Sequence, residues 1–336
     1  MAISKSSNQF AEKTVLVTGA NSGLGFEAAA QLAEAGYGRV ILACRTLEKA
    51  ETAKNTLVGR VGSDPFETLE VNVASIASAQ AASDELVRRG NPIDALLLNA
   101  GMLSGDVMTK SVDGLETSFA SSIIGHHIIT VCLLNAGILS QGARVVIAGS
   151  EAARDDLPAM MGFTFYDFVK GTPVEFGDNL YDAMVAFIRG EKPALFKATQ
   201  YYAITKVFSS WWAAAAGQKF SDQIAVFAVS PGSNLSTNAG RHATGFQKFI
   251  FTTVMPLLGS SLGLDQPVAL GAKRYVDVLN GNGEYVSGRS YMSKPKKMVG
   301  PLEEMKHEHF FDVERQEVAW NVLNDLTGVG VAPLNV

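Results

Sequence analysis

The chain has 336 residues, of which 47% are hydrophobic and 18% charged, a composition typical of a globular protein with ample material for a core. Its net charge of −5 provides no basic surface for nucleic acid, so a nucleic-acid partner is not expected. The length suggests two domains at ~150 residues each, although a sheet covered on both faces often forms one larger unit.

The strands and helices alternate along the first half of the chain. Strands are predicted at 14–18, 39–44, 67–71, 94–99 and 144–148, and helices at 23–35, 47–58, 75–89 and 114–138. After Ser150 the pattern breaks; a helix is predicted at 199–218, a strand at 224–229, loop and helix at 230–283, a last strand at 284–292, then a polar helix and tail. The alternation predicts an α/β fold, a Rossmann-type, doubly wound parallel sheet with helices on both faces. We expect one domain, residues 1–336, with an insertion at about 152–196 and a substrate-loop region at about 233–283.

Cysteine usage and the apolar runs suggest a compartment. Cys44 and Cys132 each lie in an apolar run, which favours free buried thiols, and two cysteines fit a reducing cytoplasm. Residues 1–13 are polar, without an apolar signal core. Residues 249–264 form the longest apolar stretch, but Pro256 and several glycines and serines interrupt it, and it is too short to span a membrane. The expectation is a cytoplasmic protein without a transmembrane segment.

A glycine-rich turn, Thr18-Gly-Ala-Asn-Ser-Gly-Leu-Gly25, follows the first strand and opens the first helix. Glycines remove side chains where the backbone must approach a pyrophosphate, and the helix N-terminus supplies unpaired N–H groups. A plain turn is the alternative, but a position between a buried strand and a helix is the context that the motif needs. The turn predicts a dinucleotide site that contains Gly19, Asn21, Ser22, Gly23, Leu24 and Gly25.

The end of the second strand indicates which nicotinamide cofactor binds. An acidic residue there would bind the ribose hydroxyls and repel a 2′-phosphate, but this chain has Arg45. A guanidinium pairs with a 2′-phosphate, so NADP(H) is favoured over NAD(H); an ordinary solvated arginine is the alternative. Asn72 and Val73, after the third strand, are expected at the adenine edge.

Five motifs occur together in order: the glycine turn, Asn99-Ala-Gly101, Ser150, Tyr202-Ala-Ile-Thr-Lys206 and Pro231-Gly232. Over about the first 240 residues the chain thereby resembles the short-chain dehydrogenase/reductase family. The resemblance implies hydride transfer between NADP(H) and a carbonyl or alcohol carbon. It also implies cofactor contacts from Asn99, Ala100, Gly101, Tyr202, Lys206, Pro231, Gly232 and from Ser236 or Thr237, for which helix capping is the alternative.

The same resemblance assigns the catalytic roles. Tyr202 is the acid/base, Lys206 its partner on the same helix face and Ser150 the residue that hydrogen-bonds the carbonyl oxygen. A free tyrosine titrates near ~10, so an ammonium beside it is expected to favour the phenolate. A Tyr-x-x-x-Lys pair by itself is more often an ordinary helix face, and the other motifs decide for catalysis. Tyr201 is rejected because Thr205, not a lysine, lies four residues on.

Two features depart from the family pattern. Ser122 stands where the family has an asparagine that holds a water in a proton relay, and a serine can still hydrogen-bond a water. His126 and His127, one turn on, are interpreted as packed or surface residues, and no metal site is expected because no metal-ligand spacing accompanies them. The second departure is the 52 positions between Ser150 and Tyr202.

The long insertion resembles that of retinol dehydrogenase, protochlorophyllide reductase-like and carbonyl reductase members. Protochlorophyllide reductases have a cysteine where this chain has Ser233, which argues against pigment photochemistry. The insertion is expected either to cover the helices through which many members dimerise or to roof the substrate pocket, so monomer and homo-oligomer both remain open.

The substrate is expected to be an apolar, fairly bulky small-molecule ketone or alcohol. The residues that suggest it, with a plain core as the alternative, are Met160, Met161, Phe163, Phe165, Phe246, Phe249, Phe251 and Met255. The resulting hypothesis is an NADP(H)-dependent carbonyl reductase or alcohol dehydrogenase. Its rivals are a non-catalytic NADP(H)-binding sensor or scaffold and a protochlorophyllide reductase-like enzyme.

Overall fold

An eight-stranded sheet organises the chain. The computed structural model describes residues 8–158, 161–171, 175–234 and 265–330. The strand order is β3-β2-β1-β4-β5-β6-β7-β8, with β1 to β7 parallel and β8 antiparallel to β7. The strands are β1 (Thr14–Thr18), β2 (Arg39–Cys44), β3 (Phe66–Glu70), β4 (Ile93–Leu98), β5 (Leu139–Ala148), β6 (Ile224–Val229), β7 (Arg289–Ser293) and β8 (Leu302–Glu304). This confirms the predicted doubly wound α/β fold.

Helices cover both faces of the sheet, as the unbroken apolar strands require. They are α1 (Gly23–Glu34), α2 (Leu47–Val61), α3 (Ile76–Arg89), α4 (Thr117–Asn135), α5 (Leu180–Arg189), α6 (Ala198–Lys219), α7 (Val268–Asn280) and α8 (Val313–Thr327). Helices α1, α2 and α7 pack on one face, and α3, α4 and α6 on the other, so the sheet separates two apolar cores.

The strand order reverses between β1 and β4, which lie side by side although two other strands separate them along the chain. In open parallel sheets, the connections on either side of such a switch point diverge and leave a crevice at the carboxyl ends of the strands. The glycine turn after β1 and the Asn99 segment after β4 therefore meet at one edge of the sheet.

The long predicted helix is continuous but irregular. Within α4, residues Ala120–Ile124 form a π-helical turn, a feature that is frequent at functional sites. By length and mean hydropathy, 1.5 over its most apolar window, α4 resembles a membrane span, yet 83% of that window is buried in the fold. It is therefore a core helix of the described domain.

Several element boundaries differ from the prediction, most of all those of β5 and β7. β5 begins at Leu139 because Leu139 pairs with Ile93 across a register shift, and β7 begins only at Arg289, after Gly288 at φ +80°. The short antiparallel β8 carries no clear strand pattern and was not predicted. The C-terminal helix α8 is only half polar, because it buries Trp320 and Leu323 against the core.

The insertion folds onto the helical layer formed by α4 and α6. Phe187 of α5 stacks on Tyr201 of α6 with ring centroids 4.3 Å apart, and its ring also lies 6.0 Å from Phe208 and 6.3 Å from Phe119 of α4. α8 packs beside α5 on the same layer. In the first part of the insertion, the ring centroid of Phe163 lies 6.2 Å from that of Tyr202.

Candidate active site

A crevice of about 480 Å³ opens at the switch point between β1 and β4. Predicted residues that line it are Gly19, Asn21, Ser22, Gly23, Leu24, Arg45, Asn72, Val73, Asn99, Ala100, Gly101, Tyr202, Lys206 and Pro231. Gly23 and Lys206, for example, are 183 positions apart in the sequence and line the same cavity. The motifs that sequence analysis assigned to a cofactor end and a catalytic end are parts of one site.

The glycine turn is shaped by close backbone packing. Gly19 has a φ of +66°, which side chains of L-residues rarely allow. A Cβ on Gly25 would lie 2.4 Å from the carbonyl oxygen of Gly19 and 2.5 Å from Nδ2 of Asn99. Gly25 is buried and does not line the crevice; its role is to let helix α1 approach β1 and β4.

The N-terminus of α1 points its N–H groups into this crevice without a side-chain cap. Ser22 is the N-cap residue, yet its hydroxyl accepts no cap hydrogen bond. Helices α2 and α3, by contrast, are capped by Thr46 and Ser75, which accept from the N–H groups of Lys49 and Ser78. The uncapped N–H donors and the helix dipole make the N-terminus of α1 suitable for binding a pyrophosphate.

Two cations stand at the mouth of the crevice beyond β2. Arg45 and Lys49 both line it, one turn apart, and both are exposed. Within the described part of the chain, neither side chain forms an ion pair. Sequence analysis missed Lys49, although its spacing of four residues from Arg45 at a helix start was the available signal.

Asn72 and Val73 form the opposite wall of this end. Oδ1 of Asn72 accepts a hydrogen bond from the N–H of Ala74 at 3.2 Å, and its N–H donates to the hydroxyl of Ser78 at 2.9 Å. The amide oxygen is therefore used within the turn, and the amide nitrogen is the group that remains to face a base.

Tyr202 and Lys206 line the inner end of the crevice. Nζ of Lys206 lies 5.6 Å from the centroid of the Tyr202 ring and donates to the carbonyl oxygen of Ala148 at 2.8 Å. Lys206 is 4% exposed, and its burial lowers the pKa of the ammonium to about 8. Ser150 follows β5; it caps a 3₁₀ turn, Glu151–Arg154, and hydrogen-bonds Tyr202.

The pKa of Tyr202 is governed mainly by burial. Burial raises the pKa of the phenol above its ordinary value, the hydrogen bond with Ser150 lowers it, and the charge of Glu151 raises it. Since the ammonium of Lys206 donates to the carbonyl oxygen of Ala148, the expectation that it favours the phenolate stays a prediction. The phenol is thus held in its protonated form at neutral pH.

Known proteins resemble this chain in sequence and in fold. A family model described as short chain dehydrogenase matches residues 13–166. Over residues 13–166 the chain is therefore similar to the short-chain dehydrogenase/reductase family. Human WW domain-containing oxidoreductase is 33% identical over 184 residues, covering 54% of this chain and 42% of that protein. Human retinol dehydrogenase 13 is 34% identical over 140 residues, covering 42% of each. The chain thus spans less than half the length of these curated relatives.

The fold has relatives of similar length. A crystal structure of a protein from Mycobacterium Paratuberculosis superposes with a TM-score of 0.64 at 20% identity, covering 96% of both chains. At that identity the likeness concerns the fold alone. Members of the short-chain dehydrogenase/reductase family are oxidoreductases that use nicotinamide cofactors and act on small molecules.

The family's asparagine position is occupied by Ser122 at the centre of the π-helical turn. Its hydroxyl is 1% exposed and has no protein hydrogen-bond partner. A Cβ on Gly101 would lie 2.8 Å from this hydroxyl and 3.7 Å from Nζ of Lys206, so both groups border the same point of the crevice wall. The local unwinding of the helix persists without the asparagine.

A buried ion pair between Glu151 and Arg274 lies next to Ser150 in the sequence. Oε1 of Glu151 accepts from the N–H and hydroxyl of Ser293 at 3.1 and 2.8 Å and lies 3.4 Å from Nη1 of Arg274. The hydroxyl of Ser230 donates to its other oxygen. These bonds join the ends of β5, β6 and β7. Sequence analysis missed them because Glu151 and Arg274 are 123 residues apart.

Several lining residues carried no motif. Tyr275 of α7 is 1% exposed and reaches the crevice from the opposite helical layer. The others that were not predicted are Ala43, Val71, Met102, Leu103, Ser121, Ala148 and Gly149. Most contribute backbone or small apolar surface, which no residue-type argument singles out.

The remaining predicted residues fall in three groups. Gly232 adjoins the crevice wall at Pro231 but does not line it, and its φ of +74° belongs to the turn after β6. Ser233 is buried; its N–H donates to Met298 and its hydroxyl to Asp265, so it does not line the crevice. Outside the described residues lie Ser236, Thr237, Met160, Phe246, Phe249, Phe251 and Met255.

The other expectations concern packed residues. Phe165 packs edge-on against His309 at 5.2 Å, which favours the core interpretation for it, whereas Phe163 adjoins Tyr202. His126 and His127 are both fully buried, as packed residues. Cys44 is a buried free thiol and Cys132 a partly exposed one.

Proposed function

We propose that this protein is an NADP(H)-dependent oxidoreductase that interconverts a carbonyl and an alcohol on an apolar, fairly bulky substrate. The observation that carries the proposal is that Tyr202 and Lys206 line the same crevice as the glycine turn and the cations Arg45 and Lys49. A binding cleft and a proton-exchanging group are therefore contiguous.

The residues present fit a dinucleotide phosphate. The uncapped N-terminus of α1 would hold the pyrophosphate, because its N–H groups have no side-chain acceptor. Arg45 and Lys49 would hold a 2′-phosphate, since both are cationic and have no ion-pair partner among the described residues. Asn72 and Val73 would flank the adenine. The preference for NADP(H) over NAD(H) rests on this pair of cations.

Tyr202 would exchange the proton. When bound, the nicotinamide supplies or accepts the hydride. Burial keeps the phenol protonated, which suits donation to the oxygen of a substrate that is being reduced. Ser150, already hydrogen-bonded to Tyr202, would bind the same oxygen and orient it. Lys206, held by Ala148, would keep a positive charge close to the phenolate that forms.

Apolar groups surround the place where the substrate would enter. Met102 and Leu103 line the crevice next to Gly101, and Phe163 adjoins Tyr202. Ligand sites of this type combine apolar walls with a few polar groups that fix orientation. This arrangement favours an apolar ketone, aldehyde or alcohol.

A turnover assay tests the proposal. The purified chain is mixed with NADPH and a panel of apolar ketones and aldehydes, and loss of absorbance of the reduced cofactor is followed, with NADH as the matched control. We expect turnover with NADPH that exceeds turnover with NADH. Tight NADPH binding without turnover on any substrate would instead identify a non-catalytic binding protein.

A further inference from the structure

His126 lies on α4, one helical turn after Ser122, and its side chain is fully buried. Its two ring nitrogens each contact one group. Nδ1 lies 2.8 Å from the carbonyl oxygen of Ser122, and Nε2 lies 2.9 Å from the hydroxyl oxygen of Thr18. Thr18 ends β1 and begins the glycine turn, so the ring spans from α4 to the cofactor end of the crevice.

These contacts fix the position of the ring proton. A carbonyl oxygen only accepts, so Nδ1 carries the hydrogen and donates it to Ser122. Nε2 of a neutral ring is then an acceptor, and the hydroxyl of Thr18 donates to it. The alternative acceptor for this hydroxyl, the carbonyl oxygen of Leu97, is farther away at 3.4 Å.

Thr18 in turn holds the strand end that faces the crevice. Its hydroxyl oxygen accepts from the N–H groups of Asn99 and Ala100 at 2.9 and 3.0 Å. With one hydrogen donated and two accepted, the hydroxyl is saturated. If Nε2 of His126 were lost, the buried Thr18 hydroxyl would lose its hydrogen-bond acceptor at the junction of β1 and β4.

We propose that His126 is a positioning residue that, as the neutral Nδ1–H tautomer, joins the Ser122 carbonyl in the π-helical turn to the Thr18 hydroxyl. It sets the spacing between the helices that present Ser122 and Lys206 and the strand ends that present Gly19 and Asn99–Gly101. The consequence for cofactor affinity rests on the proposed function; the hydrogen-bond arrangement does not.

His127, the next residue, supplies a matched control. It is equally buried, but its Nδ1 accepts from the indole N–H of Trp212 at 3.3 Å, so in a neutral ring its Nε2 carries the hydrogen. This Nε2 lies 3.2 Å from the carbonyl oxygen of Val329 and 3.2 Å from the side-chain amide of Asn324. It thus has the opposite tautomer, and none of its partners lines the crevice.

Nitrogen-15 NMR of histidine-labelled full-length protein tests the arrangement directly, without cofactor or substrate. Signals are assigned by removing one histidine at a time. We expect His126 to be neutral and Nδ1-protonated at pH 7, and His127 to be neutral and Nε2-protonated. An Nε2-protonated or doubly protonated His126 would overturn the proposal.

The matched variants His126→Phe and His127→Phe test the consequence. Each removes a buried ring's two hydrogen bonds at similar volume, so both are expected to lower the melting temperature. Only His126→Phe is expected to raise the Kd for NADPH, by about tenfold, the factor that 1.4 kcal/mol produces. His126→Gln, whose amide oxygen can reach Thr18, is expected to recover part of that loss. Equal NADPH affinity in both Phe variants would refute the positioning role.

A second pair guards against a variant that does not fold. Thr18→Ser keeps the hydroxyl and should bind NADPH nearly as the parent does, whereas Thr18→Val should show the same rise in Kd as His126→Phe. If the parent protein binds neither NADPH nor NADH, the proposed function fails, while the tautomer measurement still decides the role of His126.

Discussion

The two ends of the crevice are built by different means. The cofactor end consists of backbone groups and exposed cations from short, contiguous segments: the turn after β1, Arg45 and Lys49 after β2, and Asn72–Val73 after β3. The proton end consists of buried side chains from distant segments, among them Ser122, Glu151, Lys206 and Arg274. The first depends on main-chain shape, the second on desolvation and hydrogen bonding.

This difference predicts how each end responds to change. When a side chain is removed from a site built mainly of backbone groups, the site loses only the affinity that this one contact contributed. A buried network loses more, because each deletion leaves a desolvated partner behind. Substitutions at the proton end should therefore have larger effects than substitutions at the cofactor end.

Tyr202→Phe should cause the largest loss, because it removes the proton donor while the ring remains. We expect kcat to fall by about 10³-fold, within the ~10²–10⁴ range for general acid–base catalysis, with NADPH affinity nearly unchanged. Steady-state turnover and a separate binding titration measure the two effects. Tyr201→Phe is the control, since the Tyr201 hydroxyl is buried in the aromatic cluster and has no protein partner. Similar turnover in both variants would assign the proton to another group.

The double variant Arg45→Ala with Lys49→Ala should weaken NADPH binding by roughly 10- to 100-fold, because each of the two solvent-exposed contacts to a phosphate is worth about 1 kcal/mol. NADH affinity should stay within about threefold, since it lacks the 2′-phosphate. Lys54→Ala is the control: Lys54 lies on the same helix but pairs with Asp64 at 3.2 Å, outside the crevice lining. Equal losses for both cofactors would disprove the phosphate assignment.

The pH dependence of reduction should report the buried lysine. Burial lowers the pKa of Lys206 to about 8, so the ammonium is present below about pH 8 and lost above it. We expect kcat/KM for NADPH to fall about tenfold per pH unit on the alkaline side. Lys206→Arg, whose guanidinium stays charged, should remove that fall even if it lowers the plateau. A profile that is flat to pH 10 would contradict the role of the ammonium.

Low pH should reduce the free energy of unfolding through the buried histidines. Burial lowers the pKa of His126, His127 and His309 from 6.5 to about 4. The native state therefore remains unprotonated while the unfolded chain takes up protons, so stability is full above about pH 6.5 and falls as the pH decreases towards 4. Between pH 7.5 and 5.5 we expect each histidine to cost on the order of 1 kcal/mol of unfolding free energy, measured by urea denaturation.

His127→Phe isolates one histidine in that measurement. The variant should lose part of the difference in unfolding free energy between the two pH values, because it removes one of the four histidines whose pKa burial lowers. An unchanged difference would mean that other groups cause the acid sensitivity.

Much of this architecture could be predicted from the sequence. The apolar strand runs and the turn residues predicted β1, β2 and β6 with their observed ends, and the glycine turn and Arg45, which were predicted to contact a dinucleotide, line one crevice. These features are local: a buried parallel strand reads as a continuous apolar run, and a tight turn needs glycine. The shared helix face of Tyr202 and Lys206 could be predicted for the same reason, because residues four positions apart lie about one helical turn apart.

Other features depended on which distant segments meet. The insertion was visible as a gap between Ser150 and Tyr202, but its packing against α4 and α6 through Phe187 was not. The reach of Tyr275 into the crevice from the far layer, and the coverage of α6 by α8, follow from sheet geometry rather than from any residue pattern.

The sequence by itself determined the fold class, the glycine turn and the residue types able to exchange a proton, because these depend on local backbone geometry and side-chain chemistry. The tertiary structure set the electrostatics: the burial that raises the pKa of Tyr202, the ion pair between Glu151 and Arg274, and the different hydrogen-bond partners of the adjacent His126 and His127. Protonation states depend on desolvation and on the partner at each atom, and both are set by chain segments that are far apart until the protein folds.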